Sequence, residues 1–114
     1  MTREFVYTPN FLKLWKEAKL TDDDLRDLEV FLCEHPDAGN MIPGTGGLRK
    51  LRWAIPGRGK SGGIRALYVD FTRFEQIHMI ACFQKANKAN LNEKEKQVIK
   101  ALVGTIKENL RKRT

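Results

Sequence analysis

Residues 48–83 read LRKLRWAIPGRGKSGGIRALYVDFTRFEQIHMIACF, and this stretch decides the fold. The run 48–55 alternates. Arg49, Leu51, Trp53 and Ile55 share one face of an extended chain, and Lys50, Arg52 and Ala54 share the other. The runs IRALYVDF (64–71) and QIHMIACF (76–83) are rich in β-branched and aromatic residues and apolar on both faces at their centres, as strands in the middle of a helix-covered sheet are. Residues 72–75 form a tight connection and PGRGKSGG (56–63) a glycine-rich loop. Three successive strands with short connections predict an antiparallel meander.

Working upstream, TREFVY (2–7) alternates and reads as a short strand. Thr8-Pro9 is a helix N-cap followed by proline at the first helical position, with Phe11, Trp15 and Ala18 at helical spacing behind it. Thr21 starts a second helix whose first turn holds Asp22, Asp23 and Asp24, complementing the helix dipole. Leu25, Leu28 and Leu32 form its apolar stripe with Phe31 beside it, and Pro36 and Gly39 end it before the glycine-rich stretch 39–47. Downstream, Asn92 and Glu95 make a capping-box start. Val98, Ile99, Leu102, Val103, Ile106 and Leu110 then give the last helix an apolar stripe. The predicted fold is α+β: strand, helix, helix, three-strand meander, helix. Its sheet is small, twisted and antiparallel, and the two early helices cover one face.

The chain has 114 residues, 41% of them hydrophobic and 31% charged. That is one ordinary domain, read here as residues 1–114, with enough apolar mass for one core. Cys33 and Cys82 form no CxxC pair, so a reduced, cytoplasmic home is expected. No apolar run approaches a membrane span, and MTREFVYTPN has no signal-peptide pattern. With two histidines and two scattered cysteines, neither a metal site nor a cofactor is expected.

The net charge of +7 is unevenly spread. Residues 1–47 carry five basic and nine acidic side chains, a sum of −4, which leaves +11 on residues 48–114. Arg49, Lys50, Arg52, Arg58, Lys60 and Arg65 fall within 48–65 with no acid among them. Such a stripe is the electrostatic footprint of a polyanion partner; a solvated basic face, or a surface for an acidic protein, is the alternative.

Ala54-Ile55-Pro56-Gly57-Arg58-Gly59-Lys60-Ser61 fits a loose phosphate-loop pattern. A phosphate loop must open a helix whose N-terminal amides cradle the phosphates. Here Ser61 leads through Gly62-Gly63 into a strand-like run, so a flexible basic loop accounts for the same residues.

Because Leu51, Trp53 and Ile55 must face a core, Lys50 and Arg52 face the other, more open side. Arg65 opens the next strand, and Lys85 follows the third, two residues after Phe83. Lys50, Arg52, Arg65 and Lys85 around one concave patch would hold phosphates and stabilise a pentavalent phosphorane. Crowded cations favour the neutral form of a lysine, which would let one lysine serve as general base. Phe83 would stack a nucleobase. The plain alternatives stay open: Lys50 and Arg52 as a solvated sheet face, Phe83 as core, Lys85 as the end of a strand. His78, mid-strand, reads as a packed core histidine, and His35 as a helix-end residue.

The block GTGGLRKLRWAIPGRGKSGGIRALYVDF (44–71), with QIHMIACFQK (76–85) and NLNEKE (90–95), resembles the RelE/HigB-type toxins of bacterial type II toxin–antitoxin systems, and the HigB branch in particular. The likeness spans nearly the whole chain. It implies a RelE-like fold and a metal-independent endoribonuclease, an mRNA interferase that cleaves mRNA in the ribosomal A site and so inhibits translation and arrests growth. It implies attack by the 2′-hydroxyl on the adjacent phosphate, giving a 2′,3′-cyclic phosphate and a free 5′-hydroxyl. By position, Lys50 and Arg52 match the basic pair of the first meander strand. Arg65 matches the arginine at the scissile phosphate, and Lys85 the cation after the last strand. Arg49, Arg58 and Lys60 would add RNA contacts. A cognate antitoxin, with a helix-turn-helix domain and carrying any contact to operator DNA, is the implied partner, with no membrane involved. One departure stands out: relatives often carry a tyrosine shortly after the last-strand cation, whereas residues 86–90 read ANKAN. A lysine or arginine must then carry proton transfer. The alternative is a non-catalytic RNA- or antitoxin-binding domain on a degenerate toxin fold.

Overall fold

In the computed structural model, which describes residues 2–55, 63–84 and 91–113, five strands and three helices follow one another. They are β1 (Glu4–Tyr7), α1 (Pro9–Glu17), α2 (Asp22–Glu34), β2 (Asn40–Met41), β3 (Arg49–Trp53), β4 (Ile64–Phe71), β5 (Gln76–Gln84) and α3 (Glu93–Arg113). A single 3₁₀ turn, Thr72–Phe74, joins β4 to β5.

Each helix starts where a local cap dictates. The Thr8 hydroxyl accepts from Phe11 N and donates to Ile80 O, so the same side chain begins α1 and ties it to β5. Thr21 and Asp24 form a reciprocal capping box at α2, and Asn92 and Glu95 form another at α3. Glycine at position 104 has no packing reason, since a Cβ there would meet nothing within 4 Å. Gly104→Ala is therefore expected to raise the unfolding free energy by about 1 kcal/mol, read from the urea midpoint.

The meander β3–β4–β5 is antiparallel, as expected from its sequence. Two features of the sheet, ordered β1-β5-β4-β3-β2, were not legible. β1 lies parallel to β5, with Phe5 beside Ile77, so one pairing of the otherwise antiparallel sheet is parallel. The chain reaches β5 through two helices and three strands, and no local signal fixes that pairing. On the other edge, the two-residue β2 pairs with Arg49 and Lys50. Its position depends on Gly39: a Cβ there would come within 3.0 Å of Tyr68 Cε1 and 3.1 Å of Arg49 Cβ. The buried Tyr68 hydroxyl accepts from Gly39 N and donates to Pro36 O, fixing this connection.

The sheet has a core on each side. Phe11, Trp15, Leu28 and Leu32 of α1 and α2 pack on Leu51, Ile64, Tyr68, Ile77 and Met79. On the other side, Val103 and Leu110 of α3 pack on Leu48, Leu67, Val69, Phe71 and Ile80. A β-bulge at Leu67/Tyr68 shifts the register against β5. The predicted α3 stripe is only partly used: Val103 and Leu110 are buried, whereas Val98 and Leu102 are exposed. Among the described residues no helix is long and apolar enough to cross a membrane.

Candidate functional site

Strand pleating sorts the cations of β3. Leu51 and Ile55 are buried, and Trp53 half-buried, against α1 and α2, so Lys50 and Arg52 point to the α3 side. Register then sets their neighbours. Arg52 lies opposite Arg65, and Arg65 opposite Phe83, forming one row across three strands. Lys50, opposite Leu67, lies in a row nearby. Lys50 and Phe83 line the same cavity, of about 350 Å3, together with Leu67, Leu91 and Lys96.

Two facts mark the Arg52–Arg65–Phe83 row electrostatically. Like charges directly opposite on neighbouring strands are unfavourable, yet two guanidinium-bearing residues occupy these positions. In addition, Arg65 Nη1 is buried and has no hydrogen-bond partner among the described residues. Leaving such a donor unsatisfied costs about 1–3 kcal/mol, more for a charged group. An anion is the chemistry that would relieve both.

Lys50, Arg52, Arg65 and Phe83 thus share one face. Arg49 does not join them. It points to the other side of the sheet, where its guanidinium donates to Gly39 O at 2.8 Å and Asp37 O at 3.2 Å, holding the α2–β2 connection. Arg58, Lys60 and Lys85, and the segment without tyrosine at 86–90, lie outside the described residues. Most of the phosphate-loop pattern lies outside the described residues too; the described chain resumes at residue 63 and enters β4 at Ile64.

One lining cation was missed. Lys96 enters the Lys50–Phe83 cavity from the first turn of α3. The Asn92–Glu95 capping box starts the helix at Glu93 and so puts Lys96 in its first turn, but nothing local says that this end of α3 lies over β3 and β5.

The remaining titratable groups have structural surroundings. His78 is buried, its ring meets Phe71 edge-on at 5.0 Å, and Nε2 lies 2.9 Å from Gln76 Oε1. Burial holds its pKa below the usual 6.5, with Glu4 opposing in part. The folded chain therefore favours neutral imidazole, and the unfolded chain takes the proton more readily. This contribution to stability is full above pH 6.5 and is lost as pH falls through the depressed folded value. His78→Gln removes it, so the stability gap between wild type and variant is expected to narrow on acidification, as measured by urea unfolding at neutral and mildly acidic pH. Burial pushes the Cys82 thiol up to about 12, which leaves it protonated and a poor nucleophile. Tyr7 donates to Glu29, and burial, with that bond, raises its pKa well above the ordinary 10.0. Among the described residues no group of three or more His, Cys, Asp or Glu is arranged to hold a metal ion.

The chain matches the family model described as the RelE toxin of the RelE / RelB toxin–antitoxin system over residues 5–113. Its fold is similar to the isolated E. coli RelE toxin, at 18% identity over 89% of this chain and 99% of that one, with a TM-score of 0.53. It is similar to a chain of the intact E. coli RelBE toxin–antitoxin complex, at 20% identity over 73% of this chain and 96% of that one, with a TM-score of 0.54. A double mutant of E. coli RelE in the free state matches at 21% identity over 75% of this chain and 85% of that one, with a TM-score of 0.53. At these identities the solved structures speak to the fold, and the family model, spanning nearly all of the sequence, settles membership: this chain belongs to the RelE toxin family.

Proposed function

We propose that the chain is a single-domain, HigB-type toxin that cleaves mRNA in the ribosomal A site, without a metal ion, and works in the cytoplasm. The observation that carries the reading is the buried, unpartnered Arg65 Nη1 in a row with Arg52 and Phe83, beside Lys50. An RNA phosphate is the anion that fits such a donor next to an aromatic ring.

The 2′-hydroxyl oxygen attacks the adjacent phosphorus and forms a P–O2′ bond, while the P–O5′ bond breaks. The 2′-hydroxyl proton passes to a base and the departing 5′-oxygen takes up a proton. The products are a 2′,3′-cyclic phosphate and a 5′-hydroxyl. Arg65 and Arg52 stabilise the dianionic phosphorane. Lys50 and Lys85 carry the proton transfers, since residues 86–90 offer no tyrosine. Phe83 stacks the base next to the scissile bond. Arg58, Lys60 and Arg49 add RNA contacts, the last only once its guanidinium leaves the Asp37 and Gly39 carbonyls. A cognate antitoxin with a helix-turn-helix domain blocks the site and carries the contact to operator DNA.

Ribosomes carrying a defined mRNA are expected to yield new 5′ ends in the A-site codon by primer extension, with 2′,3′-cyclic phosphate termini. RNA binding with no such ends would establish the non-catalytic alternative, which the absent tyrosine favours. Products ending in a 3′-hydroxyl and 5′-phosphate would exclude the 2′-hydroxyl mechanism.

A further inference from the structure

Lys96, Lys100, Lys107 and Arg111 recur along α3 at steps of four, seven and four residues. At 3.6 residues per turn these steps keep all four in one narrow stripe, about 22 Å long from first to last. The stripe begins at the Lys50–Phe83 cavity, which Lys96 lines. It ends at a second cavity, of about 460 Å3, where Lys107 and Arg111 meet Arg73 from the turn between β4 and β5.

The helix itself does not explain these cations. The helix dipole favours basic residues in the last turn, which accounts for Arg111. Lys96 sits in the first turn, where the dipole disfavours a cation, and Lys107 and Arg73 lie outside the last turn of α3. The nearby acids leave the stripe positive. Glu93 and Glu108 pair with Lys96 and Arg111, but both acids are largely exposed, so these pairs are weak and screened. Asp70, the acid lining the second cavity, is engaged by Arg3 and Thr72. Gly104 borders the stripe between Lys100 and Lys107 and leaves open space where a side chain would stand.

We propose that this stripe is a track for an RNA phosphodiester backbone, running from the candidate site to an anchoring cavity at Arg73. The proposal rests on the Lys50–Arg65 face binding RNA and does not require cleavage.

The test uses fluorescein-labelled 2′-O-methyl oligouridylates of four and sixteen nucleotides, which lack the attacking hydroxyl, with binding read by fluorescence anisotropy as salt is raised. The full chain is compared with the triple variant Arg73→Gln, Lys107→Gln, Arg111→Gln. Each lost phosphate contact makes the slope of log affinity against log salt shallower by about 0.7 for a single strand. For the sixteen-mer the variant is expected to lose about two units of slope, so the affinity lost between about 50 and 200 mM salt shrinks by roughly 16-fold. Binding of the four-mer is expected to be unchanged. An unchanged slope for the sixteen-mer, or equal weakening of both lengths, overturns the track. Displacement of the sixteen-mer by poly-L-glutamate as readily as by unlabelled RNA of equal charge also overturns it, in favour of an acidic protein partner. Failure of the wild type to bind either length is a separate result, since it removes the RNA reading of the whole face.

Discussion

Arg65→Ala is expected to lower ribosome-dependent mRNA cleavage by about 100- to 1,000-fold, the range for removing one preorganised donor to a developing oxyanion. The same substitution is expected to leave the melting temperature unchanged or higher. Arg65 Nη1 is buried without a partner among the described residues, and Arg65 faces Arg52 across the β3–β4 ladder. Removing the side chain therefore discards an unsatisfied donor and a like-charge pair, each of which costs stability. A residue kept only for packing would show the opposite pattern, a fall in melting temperature together with activity. Arg65→Lys keeps the charge and loses the planar fork, so it is expected to recover only part of the activity. Primer extension and thermal unfolding of the three proteins decide the matter. Equal cleavage by wild type and Arg65→Ala would remove Arg65 from the site.

The largest expected loss of stability belongs to a different charge, Asp70. Arg3, whose side chain is 3% exposed, donates from Nε to Asp70 Oδ1 at 2.9 Å and from Nη2 to Oδ2 at 3.4 Å. Arg3 precedes β1 and Asp70 lies on β4, so the pair spans the intervening β5 and fastens the strand whose parallel pairing no local signal fixes. Asp70→Ala strands a buried guanidinium, and about 3–5 kcal/mol of stability is expected to go with it. For a chain of this length that lowers the melting temperature on the order of 10–20 °C. Adding Arg3→Met to Asp70→Ala removes the orphaned charge and is expected to restore part of the loss. A double variant no more stable than Asp70→Ala would show that the pair is not the cause. These two predictions separate the charges by purpose: Arg65 keeps an unsatisfied donor at a cost in stability, and Arg3 is paired and structural.

The contrast shows how far local chemistry reaches. Thr8, Thr21 and Asn92 begin their helices because each cap involves only residues three or fewer positions apart, and such rules are legible in the sequence. The alternation of 48–55 likewise puts Lys50 and Arg52 on one face, because the pleat has a period of two. Phe83 and Arg65 could be assigned to strands, though not to one row.

The remaining placements come from long-range packing. What Arg49 holds on its own face depends on the carbonyls of Asp37 and Gly39, which come to it through the packing of Tyr68 against the α2–β2 connection. Whether Lys96 meets Lys50 depends on where α3 crosses the sheet, and Val103 and Leu110 fix that by burying against Leu67, Val69 and Phe71. Periodicity and capping are short-range constraints, so the order of residues is enough to specify the elements and the face each β3 cation takes. Strand pairing and helix docking are set by contacts between residues tens of positions apart, so it takes the folded chain to select which cations share a cavity and which are spent holding it together.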